Sequence, residues 1–157
     1  MCTKINPNSP WSCLMADTIR QKGIYSFATL ISLFLASRTF KPIATLRLCQ
    51  LVDSISSIRL FLPILKLLHA WATRRAGIDL SWRTRIGPGF CITHGWGLVI
   101  NPETKIGSNV TIFHGATLGR RDRISKTGKR TTEYPIIEDR VWIGPRHHHR
   151  RCNYWRR

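Results

Sequence analysis

Aliphatic residues stand six apart through most of the second half of this chain, and a six-residue period admits few folds. Taking them as anchors, hexads begin at Leu80, Ile86, Ile92, Ile100, Ile106, Ile112, Leu118, Ile137 and Ile143. Glycine follows the anchor at Gly87, Gly107, Gly119 and Gly144, and a small or branched residue stands four past it at Thr84, Thr104, Val110, Ala116 and Val141. Each hexad supplies one short strand and one turn: the anchor points inward and the small neighbour lets the chain bend. Three hexads make one triangular coil of a parallel β-helix, so nine hexads make about three coils. The register breaks twice, by two residues between Ile92 and Ile100 and by the basic loop "RRDRISKTGKRTTEYPI" before Ile137. "INPETKIGSNVTIFHGATLG" runs without a gap.

The text before Gly77 has another period. From Asp17 to Arg75, and most clearly in "ATLRLCQLVDSISSIRLFLPILKLLHAWATRR", apolar residues recur three or four apart, interrupted at Pro63. This pattern predicts two or three amphipathic helices. Such helices either pack on a partner surface or rest a basic face on an anionic membrane. "IYSFATLISLFLAS" is too short to span a bilayer comfortably. The expected organisation is a helical region over 1–76, a β-helix over 77–145 and a basic tail over 146–157.

Two histidines fall in one column of the repeat. Counted in threes, the hexads at Ile92 and Ile112 occupy the same position on adjacent coils, and His94 and His114 each lie two residues past the anchor, facing outward. Stacked strands are about 4.7 to 4.9 Å apart, so the imidazoles should be neighbours. Adjacent imidazoles can act as a general base and an orienting partner, because histidine titrates near neutral pH. A surface ladder without chemistry, or a subunit contact, satisfies the same spacing. No third ligand stands at suggestive spacing, so no metal is expected.

The stretch "GIDLSWRTRIGPGFCITHGWGLVINPETKIGSNVTIFHGATLG" resembles the hexapeptide-repeat acyltransferases of the serine O-acetyltransferase type. It is more similar to their relatives in surface-polysaccharide synthesis, the colanic acid biosynthesis acetyltransferases. The match runs from about Gly77 to Pro145, and its most specific part is the pair "THGWGLVIN" and "IFHGATLG". The resemblance implies a left-handed parallel β-helix, mainly β with helices before it, that assembles as a homotrimer and binds acetyl-CoA in clefts between subunits. It implies that His94, with His114 beside it, takes the proton from an acceptor hydroxyl, and that backbone N–H groups near Gly119 steady the oxyanion. Asp79, Trp96 and Tyr134 would face the acceptor, and Arg120, Arg121 and Lys129 the coenzyme A phosphates. Solvated loop charges explain those three basic residues equally well.

Departures from the serine enzymes bear on the acceptor. They carry an acid just before the first histidine, where this chain has Thr93, and a histidine before the loop proline, where it has Tyr134 before Pro135. Asp79 matches a family acid, although its neighbours do not. The resulting expectation is transfer of acetyl to a hydroxyl of a glycan precursor, with L-serine as the alternative acceptor.

The formal charge of +17 raises nucleic acid as a partner. Five arginines and no acid lie in 146–157, so the rest of the chain carries +12, spread along its length and without any homeodomain, finger, RNP or basic-zipper pattern. No specific nucleic-acid function is expected. Cys2, Cys13, Cys49, Cys91 and Cys152 form no CxxC pair and are odd in number, which fits a reducing, cytoplasmic setting at most touching the inner face of a membrane. The first twenty residues lack the layout of a cleavable signal.

The tail "RHHHRRCNYWRR" breaks the period. Read one base later, with arginines encoded as CGN, codons for His147, His148 and His149 become Ile or Thr, and one allowed continuation restores anchors six apart from Ile143. The expectation is therefore a frameshifted end that leaves the β-helix incomplete and its activity impaired. The competing readings are a metal-binding or a polyanion-binding tail. Two classes of function follow from the sequence: an acetyl-CoA-dependent O-acetyltransferase, or a non-catalytic scaffold whose basic segments bind acidic surfaces.

Overall fold

The computed structural model describes residues 9–144, so the tail and the readings attached to it lie outside the described residues. Four α-helices come first: α1 (Pro10–Lys22), α2 (Phe27–Ala36), α3 (Phe40–Ser54) and α4 (Leu62–Ala76), with a 3₁₀ turn, Ser56–Phe61, leading into α4. Ser9 opens α1, its hydroxyl accepting from the Ser12 amide at 3.1 Å, and Pro10 occupies the first turn, where its missing N–H costs nothing. Pro63 likewise lies in the first turn of α4, so it separates two elements without kinking either.

Eleven strands follow: β1 (Ile78–Leu80), β2 (Arg85–Ile86), β3 (Cys91–Thr93), β4 (Leu98–Ile100), β5 (Lys105–Ile106), β6 (Thr111–Phe113), β7 (Thr117–Leu118), β8 (Arg121–Ile124), β9 (Arg130–Glu133), β10 (Ile136–Ile137) and β11 (Trp142–Ile143). Nine form three parallel sheets, ordered β1-β4-β7, β2-β5-β10 and β3-β6-β11. The chain visits the three faces in turn and rises one strand per circuit, giving three coils. Every anchor pairs with an anchor: Ile100 with Leu80 and Leu118, Ile106 with Ile86 and Ile137, Ile112 with Ile92 and Ile143. All nine are buried, and Thr84, Thr104, Val110, Ala116 and Val141 close the corners of the same interior.

The two register breaks resolve differently. Gly95 and Trp96 are extra residues at one corner of the first coil, Gly95 buried beside Thr39 and Ile78 and Trp96 exposed. The basic loop leaves the prism after Leu118, forms the antiparallel hairpin β8-β9, and returns at Ile136 in register with Lys105. The hairpin is not legible as strand, because it carries a single apolar residue, Ile124, shows no alternation, and is almost wholly exposed.

The helices close the open end of the first coil. Ile43 and Leu46 of α3 and Ala76 of α4 join the interior of the prism. Polar side chains meet the unpaired edge of that coil: His69 Nε2 reaches the Leu80 carbonyl at 2.8 Å, Gln50 donates to the Trp82 and Thr84 carbonyls at 3.1 Å each, and Arg47 donates to the Ile86 and Gly87 carbonyls at 2.7 Å each. An exposed strand edge would otherwise be a template for pairing with another chain.

Plain packing thus accounts for α3, which is mostly buried. The outer faces of two other helices stay apolar: Phe27, Ile31 and Leu35 on α2, and Ile64, Leu67 and Trp71 on α4, are exposed. No described helix is long and apolar enough to cross a membrane.

Candidate active site

Two columns of left-handed residues turn the chain at two corners of the prism. Gly89, Asn109 and Arg140 stack between the second and third sheets, with φ of 75°, 56° and 60°. Gly77, Gly97 and Gly115 stack between the third and first, with φ of 68°, 67° and 68°. Glycine suits the second column because its φ near +68° is costly for a residue with a Cβ, and the coils are joined there by Gly97 N–H donating to the Gly77 carbonyl at 2.9 Å. His94 and His114 sit at this corner, each immediately after its strand, where Thr93 pairs with Phe113.

Their ring centroids are 5.9 Å apart and the planes meet at 74°, edge to face. Both side chains are exposed to solvent. His94 itself has φ of 64°, a left-handed conformation uncommon for a residue with a Cβ, and the Trp96 amide donates to its carbonyl at 2.7 Å. The spacing thus brings the two imidazoles together on the outside of adjacent coils.

Trp96 belongs to the same corner. Its indole lies over Gly77, where any Cβ would run into the ring. Asp79 points outward from β1 on the adjoining first sheet, in line with Val99 and Thr117. The other expected residues lie elsewhere. Gly119, Arg120, Arg121, Lys129 and Tyr134 belong to the hairpin segment at the corner between the first and second sheets, across the first sheet from the histidines.

Within that hairpin Asp122 gathers the charge. Arg130 and Thr132 donate to it, the latter at 2.7 Å, and Arg120 Nε is 3.4 Å away. The Arg130 hydrogen bond, followed by that of Thr132, holds the Asp122 carboxyl below the usual carboxylate range. Arg120 is therefore partly neutralised by its own loop. Lys129 is exposed at the hairpin turn.

Tyr134 lines a cavity of about 610 Å³ with Arg83, Arg85, Pro102, Glu103, Lys105, Glu133 and Ile136. The sequence reading missed its basic wall. The signal was available: Arg85 and Lys105 each precede an anchor, so they face outward in one column and pair across β2 and β5.

The described cysteines are free and unsuited to nucleophilic work. Cys13 and Cys49 are buried, and burial pushes the Cys49 thiol up to about 11. Burial also raises Cys91, against a weaker opposing hydrogen bond from Thr93. Among the described residues no group of three or more His, Cys, Asp and Glu side chains is placed to hold a metal ion.

Three stacked parallel sheets with a helical cap and an outward pair of histidines define the class: a hexapeptide-type parallel β-helix. No family model matches the chain. It is similar to the serine acetyltransferase of Helicobacter pylori strain 26695, 37% identical over 97 residues that make up 62% of this chain and 54% of that protein. It is also similar to the serine acetyltransferase of Bacillus subtilis, 42% identical over 67 residues, or 43% of this chain and 29% of that one. Among solved structures, soybean serine acetyltransferase complexed with serine has a TM-score of 0.63 at 26% identity, covering 88% of this chain and 54% of the soybean chain. Entamoeba histolytica serine acetyltransferase 1 in complex with L-cysteine, at 24% identity and a TM-score of 0.61, shares the fold. The chain spans about half the length of the Helicobacter relative and of these solved chains. These relatives carry the name serine acetyltransferase, so the expected greater closeness to the surface-polysaccharide enzymes is not supported.

Proposed function

We propose that this chain carries the catalytic histidines of an acetyl-CoA-dependent serine O-acetyltransferase. The observation that carries the reading is the His94–His114 pair, at 5.9 Å on adjacent coils of a fold shared with soybean serine acetyltransferase. His94 takes the hydroxyl proton of the acceptor, and the resulting alkoxide attacks the thioester carbonyl of acetyl-CoA. The tetrahedral oxyanion then collapses, the C–S bond breaks, and the imidazolium returns its proton to the departing thiolate. His114 orients the base. Backbone N–H groups at the turn beginning with Gly119 serve the oxyanion, and Asp79, Trp96 and Tyr134 serve the acceptor.

In one copy, the hairpin and the histidines are separated by the width of the first sheet, three residues or about 10 Å at ~3.3 Å per residue. That separation favours a homotrimer in which the hairpin of one subunit approaches the histidine corner of the next, with coenzyme A lying in the cleft and Arg120, Arg121 and Lys129 near its phosphates. The same reading includes a left-handed winding of the coils and a cytoplasmic setting. Contact with the inner face of a membrane draws support from the exposed apolar rows on α2 and α4 and from Asp53 being the one acid between Asp17 and Asp79.

A glycan hydroxyl is the second reading of the acceptor, favoured by Thr93 and Tyr134 at the positions where the serine enzymes carry an acid and a histidine. Release of free coenzyme A thiol from acetyl-CoA, measured with L-serine and in parallel with nucleotide sugars, tests both. Turnover with serine that His94→Ala abolishes is the expected result. Full activity in His94→Ala overturns the mechanism, and salt-sensitive polyanion binding without turnover favours the scaffold reading.

A further inference from the structure

The turn that carries His94 is held from outside the β-helix. Arg38, in the link between α2 and α3, donates from Nη2 to the His94 carbonyl at 3.0 Å. Its guanidinium carbon lies 4.0 Å from the centroid of the Trp96 ring. The same carbonyl accepts the Trp96 amide at 2.7 Å, so one oxygen gathers both donors and closes the turn His94–Gly95–Trp96. Thr39, next to Arg38, presses on that turn: a Cβ on Gly95 would stand 2.8 Å from Thr39 Cγ2. Trp96 in turn rests on Gly77, at the end of α4.

His94 needs such support. Its φ of 64° is disfavoured for a side chain with a Cβ, and the two extra residues Gly95 and Trp96 give this corner slack that the next coil, passing directly from His114 to Gly115, lacks. A planar guanidinium suits the task because it hydrogen-bonds in its plane while its face stacks on an indole, which a lysine ammonium cannot do.

We propose that Arg38 is a positioning residue: it fixes the backbone of His94, and through it the direction of the imidazole, so the helical region takes part in setting the catalytic geometry. This rests on the reading of His94 as the base. Misplacing a reacting group by about 1 Å costs on the order of 100-fold in rate. Arg38→Ala is therefore expected to lower kcat by roughly 10- to 100-fold while the KM for acetyl-CoA changes by less than about threefold, with Arg38→Lys recovering part of the loss.

The experiment pairs these kinetics with amide hydrogen exchange on the full chain. In Arg38→Ala, the Trp96 amide should exchange several-fold faster while Lys105 and Ile106 in β5 remain as protected as before. Unchanged exchange at Trp96 overturns the clamp, and this readout decides it even if the chain has no turnover. Faster exchange with an unchanged kcat overturns the catalytic role. Normal turnover in His94→Ala would instead defeat the reading of His94 as the base, leaving the exchange result to decide the clamp.

Discussion

Arg47 and Asp17, thirty residues apart on α3 and α1, form an ion pair at 2.9 Å with both side chains shut away from solvent. Asp17 also accepts the Phe90 amide at 2.7 Å, and Arg47 spends its other nitrogens on the Ile86 and Gly87 carbonyls. The pair thus joins two helices to the first coil, with the donors and acceptors of both ions satisfied. Removing one partner strands the other charge in the interior. Arg47→Met or Asp17→Ala is expected to cost about 3–5 kcal/mol of unfolding free energy, read from urea denaturation. The exposed pair Arg123–Glu133, at 3.9 Å, should lose less than about 1 kcal/mol in Arg123→Ala.

His69 makes stability depend on pH. A carbonyl can only accept, so Nε2 carries the hydrogen to Leu80, while Nδ1 meets the Thr45 hydroxyl at 2.9 Å. Burial lowers the pKa of His69 in the folded chain. The unfolded chain therefore binds the proton more readily, and the contribution of His69 is fully present above its unfolded value of about 6.5 and falls away as pH drops through the lower folded value. Unfolding free energies measured from pH 8 to pH 5 should decline below about 6.5, and His69→Gln should flatten that decline.

Gly87 and Gly107 are required by the spacing of the coils. A Cβ at Gly87 would stand 2.7 Å from the Gly107 carbonyl, and one at Gly107 would stand 2.8 Å from the Asp139 amide. Backbone cannot yield cheaply there, so Gly87→Ala or Gly107→Ala should cost about 1–3 kcal/mol. Gly144, with no atom of the described residues within 4 Å of its Cβ position, is the control: Gly144→Ala should stay within about 0.5 kcal/mol in the same denaturation assay.

The histidines should separate in kinetics. On the proposed mechanism His94 is the general base, whose loss typically costs 10²- to 10⁴-fold, and that range is expected for kcat in His94→Ala. His114→Ala, removing a ring that meets His94 edge to face, should cost less. Both side chains are exposed, so circular dichroism and melting should be close to those of the parent protein.

The prism could be read from the sequence because one kind of side chain, aliphatic Ile or Leu, repeats in it for one physical reason. Each anchor must fill the same kind of interior site, so all nine fell into three columns, and the neighbourhood of His94 and His114 followed from counting. The helical cap was less legible. Two or three helices were expected where four α-helices and a 3₁₀ turn stand, because α1 and α2 lie outside the clearest run of periodicity. The Asp17–Arg47 pair, the hold of Arg38 on His94 and the basic wall beside Tyr134 depend on which surfaces meet in space. No spacing in the chain encodes the first two, and the third needed the outward column before β2 and β5 to be followed.

The hairpin β8-β9 leaves the prism after Leu118 and rejoins it at Ile136 without shifting a single anchor pair. It is anchored at both ends by neighbouring strands, and Asp122 supplies its internal cohesion. Length and charge in that excursion can therefore vary almost independently of the scaffold. On the proposed function, changes of reactant preference would be accommodated there while the coils beneath stay as they are.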